Sequence, residues 1–197
     1  MNTSKPFPNA ATTWNKRFEH PGYLFGTEPN VYLKAQAAHY PKSGRALCVA
    51  DGEGRNSVWL ARQGLQVRAF DISSVGVAKA RALAAREGVQ VDYDVADGDG
   101  WAWPEAAFDG VAAIFIQFAD PALRTRLFQR MVAALKPGGT LVLQGYTPKQ
   151  LDYRTGGPPQ VEHLYTEDLL RQAFAALDIV ELRSYEADLA EGSGHHG

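Results

Sequence analysis

The sequence predicts an α/β fold in which a mostly parallel, doubly wound sheet is covered by helices on both faces. Apolar strand-like segments alternate with amphipathic helical segments along most of the 197 residues, and parallel strands require such helical crossovers. Residues 46–56 read as an apolar strand, a turn with two glycines and the start of a helix. This arrangement is typical of nucleotide-binding βαβ units.

The N-terminal part predicts helices rather than sheet strands. Residues 1–11 contain two prolines and no periodicity, which favours a flexible tail. Trp14–Phe18, with Thr13 as its cap, reads as a short helix. A second helix is expected from Pro29 to about Tyr40, with Val31, Leu33, Ala35 and Ala38 on its inner face. We therefore expect a single domain with a tail (1–11), an N-terminal helical lid (12–43) and an α/β core (44–190).

Hydrophobic periodicity and capping residues predict the elements of the core. The predicted strands are 46–50, 66–70, 89–95, 108–116, 140–144 and 179–188, with a breaker at 136–139. The predicted helices are 56–62, 75–87 (capped by Ser73 or Ser74), one from Asp120–Pro121 to about Leu135, and 166–176. The polar, glycine- and proline-rich segment 146–165 is long for a plain connection, so we expect it to contribute to a site.

Composition and charge narrow the range of partners. A net charge of -2 and 21% charged residues, with no long basic run, argue against a nucleic-acid or anionic-membrane partner. The N-terminus has no apolar signal core, and the longest apolar run, Val111–Ile116, is too short to span a bilayer. We expect a cytoplasmic monomer or homodimer that acts on a small molecule and holds no metal. The single cysteine, Cys48, reads as a buried core residue.

Acidic residues follow the predicted strands where a nucleotide would bind. Asp71 ends the second strand about 20 residues after the glycine turn, where a carboxylate commonly bonds ribose hydroxyls. Asp97 ends the third strand, at the same edge of the sheet. The dinucleotide fingerprint itself is matched weakly, because Ser57 stands at its third small position. The sequence therefore predicts a ribose-bearing cofactor and leaves a nicotinamide-dependent enzyme as one alternative.

Several motifs together resemble the class I S-adenosylmethionine-dependent methyltransferases, and most closely the small tellurite-resistance and thiopurine/thiol methyltransferases. These motifs are Trp14-x-x-Arg17-Phe18, the segments 25–30, 52–56 and 156–159, and Glu191-Gly-Ser-Gly-His195. The resemblance implies a Rossmann-like sheet and S-adenosyl-L-methionine as the cofactor. The cofactor-binding residues that it implies are Trp14, Arg17, Asp51, Gly52, Gly54, Asn56, Asp71, Ile72, Ala96, Asp97 and Phe115.

The sequence departs from that family's pattern in the glycine-turn segment and in the last strand. Cys48 replaces the acid of the first strand, and Ala50 replaces the first glycine of the turn. The family's sheet also ends with an antiparallel strand beside the fifth strand, which this chain lacks. Either the chain is truncated or the sheet has six strands. The departures at Cys48 and Ala50 leave open a lapsed methyltransferase fold that serves as a binding or regulatory protein.

A sulfonium already carries a good leaving group, so methyl transfer needs alignment and exclusion of water rather than a triad or a metal. Trp14, Phe18, Tyr23 and Phe25 are candidates for an aromatic lid, with ordinary packing as the alternative. The catalytic candidates are His163 and Tyr165, which follow the 156–159 turn, and His195, which the resemblance implies. The resemblance implies a soft acceptor such as a thiol or a selenium or tellurium oxyanion, and the lack of a convincing general base in the sequence favours the same expectation.

Overall fold

The computed structural model describes residues 9–197 and contains a five-stranded, all-parallel sheet. The strands lie in the order β3-β2-β1-β4-β5, so the direction of winding reverses between β1 and β4. The predicted α/β, doubly wound fold is thus confirmed. The strands are β1 (Arg45–Val49), β2 (Gln66–Asp71), β3 (Val91–Val95), β4 (Phe108–Ile114) and β5 (Leu135–Gln144).

Helices connect these strands and flank the sheet. They are α1 (Ala10–Phe18), α2 (Val31–Ala35), α3 (Arg55–Arg62), α4 (Ser74–Arg86), α5 (Pro121–Ala134), α6 (Gln150–Tyr153) and α7 (Glu167–Ala173), with 3₁₀ turns at Ala37–His39 and Val161–His163. The predicted caps are present: the Ser73 hydroxyl accepts from Gly76 N at 3.0 Å, and Asp120 accepts from Leu123 N at 2.8 Å. None of these helices has the length and apolar character needed to cross a bilayer.

The core lies on both faces of the sheet. In β1, Ala46 and Cys48 pack into one apolar cluster with α3 and α4, while Leu47 and Val49 pack into the cluster on the opposite face. A parallel strand buried on both faces needs such a continuous apolar run. Cys48 is 1% exposed, as predicted for a core residue.

The N-terminal helices differ from their predicted bounds. Helix α1 begins at Ala10, so Thr13 lies inside it rather than at its cap, and residues 1–8 of the predicted tail fall outside the described part of the chain. The second helix ends at Ala35. The 3₁₀ turn that follows brings Tyr40 over Gly110, where its hydroxyl donates to the Val111 carbonyl at 2.9 Å.

The predicted inner face of that second helix is also wrong. Of its four members only Leu33 is buried, and Val31 is 70% exposed. The reason is that Asn30 caps the helix, its side chain accepting from Leu33 N at 2.9 Å. Five residues then form too short a helix to show two buried turns.

Two predictions at the far edge of the sheet need correction. Strand β5 begins at Leu135 and includes the predicted breaker at 136–139, which it accommodates by a register shift opposite Phe108 and Gly110. The predicted strand 179–188 is wrong, because that segment joins no ladder. A cleft of about 800 Å³ lies between it and β5, and a side-chain bond from Gln144 Nε2 to the Tyr185 hydroxyl (3.0 Å) crosses it. The parallel sheet therefore has five strands, not six.

The chain ends in a two-stranded antiparallel ribbon, which we call the C-terminal ribbon: β6 (Ala190–Glu191) and β7 (His195–His196). It lies against the loop that precedes α2, where Gly194 N donates to the Leu24 carbonyl at 2.8 Å. Gly192 has φ +70° and meets the backbone of residues 24–26 so closely that no side chain fits. The glycines of the Glu191–His195 motif thus allow the ribbon to dock.

Ala50 is a strained residue directly after β1. Its φ is +49°, in the left-handed region, which costs an L-residue roughly 1–2 kcal/mol relative to glycine. The methyltransferase pattern that the sequence resembles has glycine at this position. The strain therefore arises because Ala50 stands in its place.

We predict that Ala50→Gly stabilises the protein. Relief of the strain exceeds the roughly 0.4–1 kcal/mol that glycine adds to unfolded-chain entropy, so a net gain of about 0.5–1 kcal/mol and about 1–4 °C in Tm is expected for a chain of this size. Ala82→Gly, at an exposed position inside α4, is the matched control and should lower stability by about 1 kcal/mol. Thermal and urea unfolding measure both, and a loss of stability in Ala50→Gly would contradict the prediction.

Candidate cofactor and acceptor site

The candidate site lies at the carboxyl ends of β1 and β4, where the strand order reverses. Open α/β sheets bind ligands in the crevice at this point. The residues that directly follow these two strands are both left-handed, Ala50 with φ +49° and Phe115 with φ +56°. Such conformations in non-glycine residues cluster at functional sites, and here they mark the same crevice that topology indicates.

Asp71 joins the glycine turn to the next helix. Its carboxylate accepts from Gly52 N at 2.9 Å and from Ser73 N at 2.8 Å. Burial raises the pKa of this carboxyl to about 6. A carboxylate offers about four acceptor positions, so the two backbone bonds leave capacity for the hydroxyls of a ribose. Ile72, which follows, is half-buried.

Asp51 points beneath the turn. Its carboxylate bonds the hydroxyl and the backbone N–H of Ser57, and the Ser57 hydroxyl lies 2.8 Å from that of Tyr93. Burial raises the pKa of Asp51 to about 7. The observed partners of Asp51 therefore lie within the protein, where they support the turn from below.

The two glycines of the turn allow two close approaches. A Cβ on Gly52 would lie 3.2 Å from Phe18 Cζ, and one on Gly54, where φ is +92°, would lie 2.7 Å from Ala80 Cβ. The lack of a side chain at Gly52 leaves room for Phe18 of α1, and the lack of one at Gly54 leaves room for Ala80 of α4. Asn56 Oδ1 accepts from Asn30 N at 2.9 Å and so ties the lid to α3.

Asp97 lies on the exposed loop after β3. One of its carboxylate oxygens accepts from Asp99 N (2.8 Å) and from Gly100 N (2.7 Å), which fixes the loop. Ala96 N donates to the Asp71 carbonyl at 2.9 Å. This backbone bond joins the ends of β2 and β3, where Asp71 and Asp97, the two acidic residues predicted to contact the nucleoside, are located.

Six aromatic rings contact one another in a series that runs from α1, where Phe18 packs against Gly52, to Tyr146 beyond β5. We call this group the aromatic cage: Trp14, Phe18, Phe25, Phe115, Tyr146 and His195. The His195 ring lies 4.4 Å from that of Phe25 and 4.5 Å from that of Phe115. Arg17 stacks on Trp14 with its guanidinium carbon 4.5 Å from the ring centre. Tyr23, the fourth predicted lid aromatic, instead packs against α4 and donates to the Lys79 carbonyl at 3.3 Å.

Of the three histidine and tyrosine candidates, His163 and Tyr165 are buried near each other around Gln117 and Tyr146, and only His195 reaches the aromatic cage. His163 is 2% exposed, and its Nδ1 lies 3.0 Å from the Gln117 carbonyl. Tyr165 is also buried and packs edge-on against Phe128, and burial raises its pKa. His195, in contrast, belongs to the aromatic cage.

Sequence reasoning missed the buried ion pair that holds the C-terminal ribbon in place. Arg55 Nη1 lies 2.8 Å from Glu191 Oε2, and their side chains are 8% and 7% exposed. Glu191 also accepts from Asn30 Nδ2 and Val31 N, both at 3.0 Å. Burial opposes ionisation of Glu191, but His195, Arg55 and the Val31 N–H outweigh it and lower the pKa to about 2.

The raised pKa of Asp51 makes a testable contribution to stability. For a carboxyl whose folded pKa is raised, the stabilisation is complete below the unfolded pKa of about 4 and is lost as pH rises through about 7. Asp51→Asn lacks this loss, so its stability relative to the wild type should rise between pH 4 and pH 8 by on the order of 4 kcal/mol, the free energy that corresponds to pKa values of about 4 and about 7 in the two states.

Urea unfolding at several pH values measures this difference. Asp94→Asn is the control, because bonds from Trp101 and Arg68 outweigh burial and lower the pKa of Asp94. Its relative stability should therefore fall with rising pH near pH 4. If the difference in unfolding free energy between Asp51→Asn and the wild type does not change with pH, Asp51 titrates as an ordinary carboxyl.

Comparison with known proteins agrees with this geometry. Residues 46–139 match the family model described as a methyltransferase domain. The ubiquinone biosynthesis O-methyltransferase of Xanthomonas axonopodis pv. citri (strain 306) is 37% identical over 106 residues, which are 52% of this chain and 43% of the relative. The chain thus matches less than half the length of that enzyme. The probable thiol methyltransferase 2 of Arabidopsis thaliana is 28% identical over 88% of this chain and 78% of its own.

A solved structure shows the same fold. The S-adenosylmethionine-dependent methyltransferase from Methanosarcina mazei superimposes with a TM-score of 0.68 over 80% of this chain and 91% of that chain, at 20% sequence identity. Residues 46–139 are thus similar to a methyltransferase domain, and the chain shares the Rossmann-like fold of this solved structure.

Proposed function

We propose that the protein transfers the methyl group of S-adenosylmethionine to the soft nucleophile of a small molecule, with a thiol as the leading candidate. The observation that carries this proposal is the position of the aromatic cage beside the glycine turn, at the crevice where β1 and β4 end. When bound, the cofactor supplies a methyl group on a sulfonium, whose sulfur is already a good leaving group. The protein then has to align the acceptor and exclude water.

The residues of the crevice fit such a cofactor. Asp71 has acceptor capacity left for the ribose hydroxyls, and Asp97 is exposed at the next strand end for the adenine amino group. Arg17 offers a guanidinium to the carboxylate of the methionine part. The ring faces of the aromatic cage suit a positive charge and keep water from it.

We assign the acceptor side of the site to His195. Burial lowers the pKa of this imidazole below its usual value, so the ring is neutral at pH 7 and can accept a proton. A thiol, with a pKa near 8.5, gives up its proton to such a base far more readily than an alcohol does. We assign His163 and Tyr165 to the support of the segment 146–165, because both are buried and the Gln117 side chain and Tyr165 N bond the backbone of that segment.

The thiol assignment is further supported by the relative that aligns with most of the chain. The probable thiol methyltransferase 2 matches 88% of the chain, whereas the O-methyltransferase matches 52%. The longer match includes residues outside the cofactor domain, which spans 46–139. Selenium and tellurium oxyanions share the soft, polarisable character of a thiolate and form the second acceptor class in the proposal.

Cofactor binding is tested by titrating S-adenosylhomocysteine and, separately, NADH into the protein. Ligand at 100 times its Kd stabilises the folded state by about 2.7 kcal/mol, so S-adenosylhomocysteine should raise Tm by about 5–10 °C and NADH should not. Asp71→Ala should weaken binding by about 10- to 150-fold. Ser74→Ala, at the exposed first residue of α4, should keep its affinity. If millimolar S-adenosylhomocysteine does not raise Tm, the proposal is wrong.

The acceptor class is tested with a panel of thiols, phenols, alcohols and selenite or tellurite, by measuring S-adenosylhomocysteine release. We expect kcat/KM for thiols to exceed that for alcohols of the same shape by at least about 10²-fold, because the base is weak and general base catalysis contributes on that scale. Preference for a phenol over the matching thiol would remove the soft-nucleophile part and leave methyl transfer intact.

A further inference from the structure

Glu191 and His195 face each other across the C-terminal ribbon. The two residues are register partners in the β6–β7 ladder, and Glu191 Oε2 lies 3.7 Å from His195 Nδ1. The imidazole side chain is 11% exposed, and its buried Nδ1 has no hydrogen-bond partner among residues 9–197. A buried polar nitrogen without a partner costs free energy. The Glu191 carboxylate, 3.7 Å away, can act as its acceptor.

We infer that Glu191 is a positioning residue for His195: its carboxylate holds the proton of the neutral imidazole on Nδ1 and leaves Nε2, on the other side of the ring, to accept a proton within the aromatic cage. This inference rests on the proposed function, because it gives the acceptor site its base. A ring nitrogen whose proton is fixed by a carboxylate has a defined tautomer and orientation.

The carboxylate itself cannot easily move. Three donors from outside the ribbon hold it: the Arg55 guanidinium, the Asn30 side-chain amide and the Val31 N–H. Arg55 is the first residue of α3, immediately after Gly54 of the cofactor turn. Glu191 therefore connects the acceptor histidine to the turn that faces the cofactor.

The charges around His195 come from each element that packs against it. Glu191 in the ribbon favours the charged imidazole, while Arg55 of α3 and Arg17 of α1 oppose it. Tyr146, after β5, faces the ring edge-on at 6.1 Å, and burial raises its pKa to about 12, so it stays neutral. The remaining neighbours, Phe25 and Phe115, carry no charge. Burial is the largest influence, and it lowers the pKa of His195.

The proton step is balanced within these groups. The proton of the acceptor's S–H bond moves to His195 Nε2, and the electron pair of that bond stays on the sulfur as the attacking lone pair. The imidazolium that results carries one positive charge, which the Glu191 carboxylate offsets through Nδ1–H. No oxidant or reductant takes part.

Nitrogen NMR of the cofactor-free protein tests the inference directly, since Nδ1 and Nε2 shifts report the tautomer of each histidine. The wild type is expected to show neutral His195 with its proton on Nδ1. In Glu191→Gln the ratio of Nδ1–H to Nε2–H should fall about tenfold or more, the loss expected for one hydrogen bond to a charged group. The pH at which His195 titrates should also fall.

Because Glu191→Gln leaves Arg55 buried without its partner, it is paired with Arg55→Met/Glu191→Gln, which removes both charges. Arg55→Met alone keeps the carboxylate and should keep the Nδ1–H tautomer. Glu186→Gln is the control for an exposed carboxylate in the same segment and should change nothing.

A wild-type proton on Nε2, or an unchanged tautomer ratio in both Glu191 variants, would overturn the inference. The measurement needs neither cofactor nor turnover, so it separates the two proposals. The expected tautomer together with no S-adenosylhomocysteine binding would reject the proposed function and keep the positioning role.

Discussion

The Glu191 carboxylate is the point on which the geometry of the site depends. It accepts hydrogen bonds from Asn30 and Val31 at the start of α2, pairs with Arg55 after the glycine turn, and lies 3.7 Å from the catalytic candidate His195. Asn30 and Arg55 are each more than 130 residues from Glu191 in the sequence. A buried ion pair gains little net stability compared with apolar packing, but loss of one partner leaves a costly unpaired charge. The pair therefore specifies one arrangement of lid, turn and ribbon rather than adding greatly to stability.

The glycine turn is held from both sides by acidic residues of raised pKa. Asp71 fixes its upper backbone through Gly52 N, and Asp51 fixes its lower side through Ser57. Both carboxyls lose part of their favourable hydration on folding, and Ala50 adds backbone strain at the same place. The first turn of the crevice is thus an energetically unfavourable structure that the rest of the sheet maintains. Such local strain is common where a backbone is shaped for a ligand.

Much of the fold could be predicted, because local periodicity and caps determine it. Ser73 and Asp120 were identifiable as caps, and strands β1 to β4 lie within a few residues of their predicted bounds. The arrangement of the site could be predicted less well than the fold. The motif Glu191–His195 was visible as a pattern, but nothing local shows that its partners are Arg55 and Asn30. The segment 179–188 has strand-like composition, yet a strand needs a ladder partner, and none pairs with it.

The structure also changes the chemical reason for expecting a soft acceptor. From sequence, the reason was that no general base could be identified. The structure offers His195 as a base, but a weak one, because burial and two nearby arginines lower its pKa while one carboxylate opposes them. The proton affinity of such an imidazole lies below that of a thiolate, but far nearer to it than to that of an alkoxide. In the proposed function, selectivity for a thiol follows from this smaller difference in proton affinity within the aromatic cage, and not from the absence of catalysis by the protein.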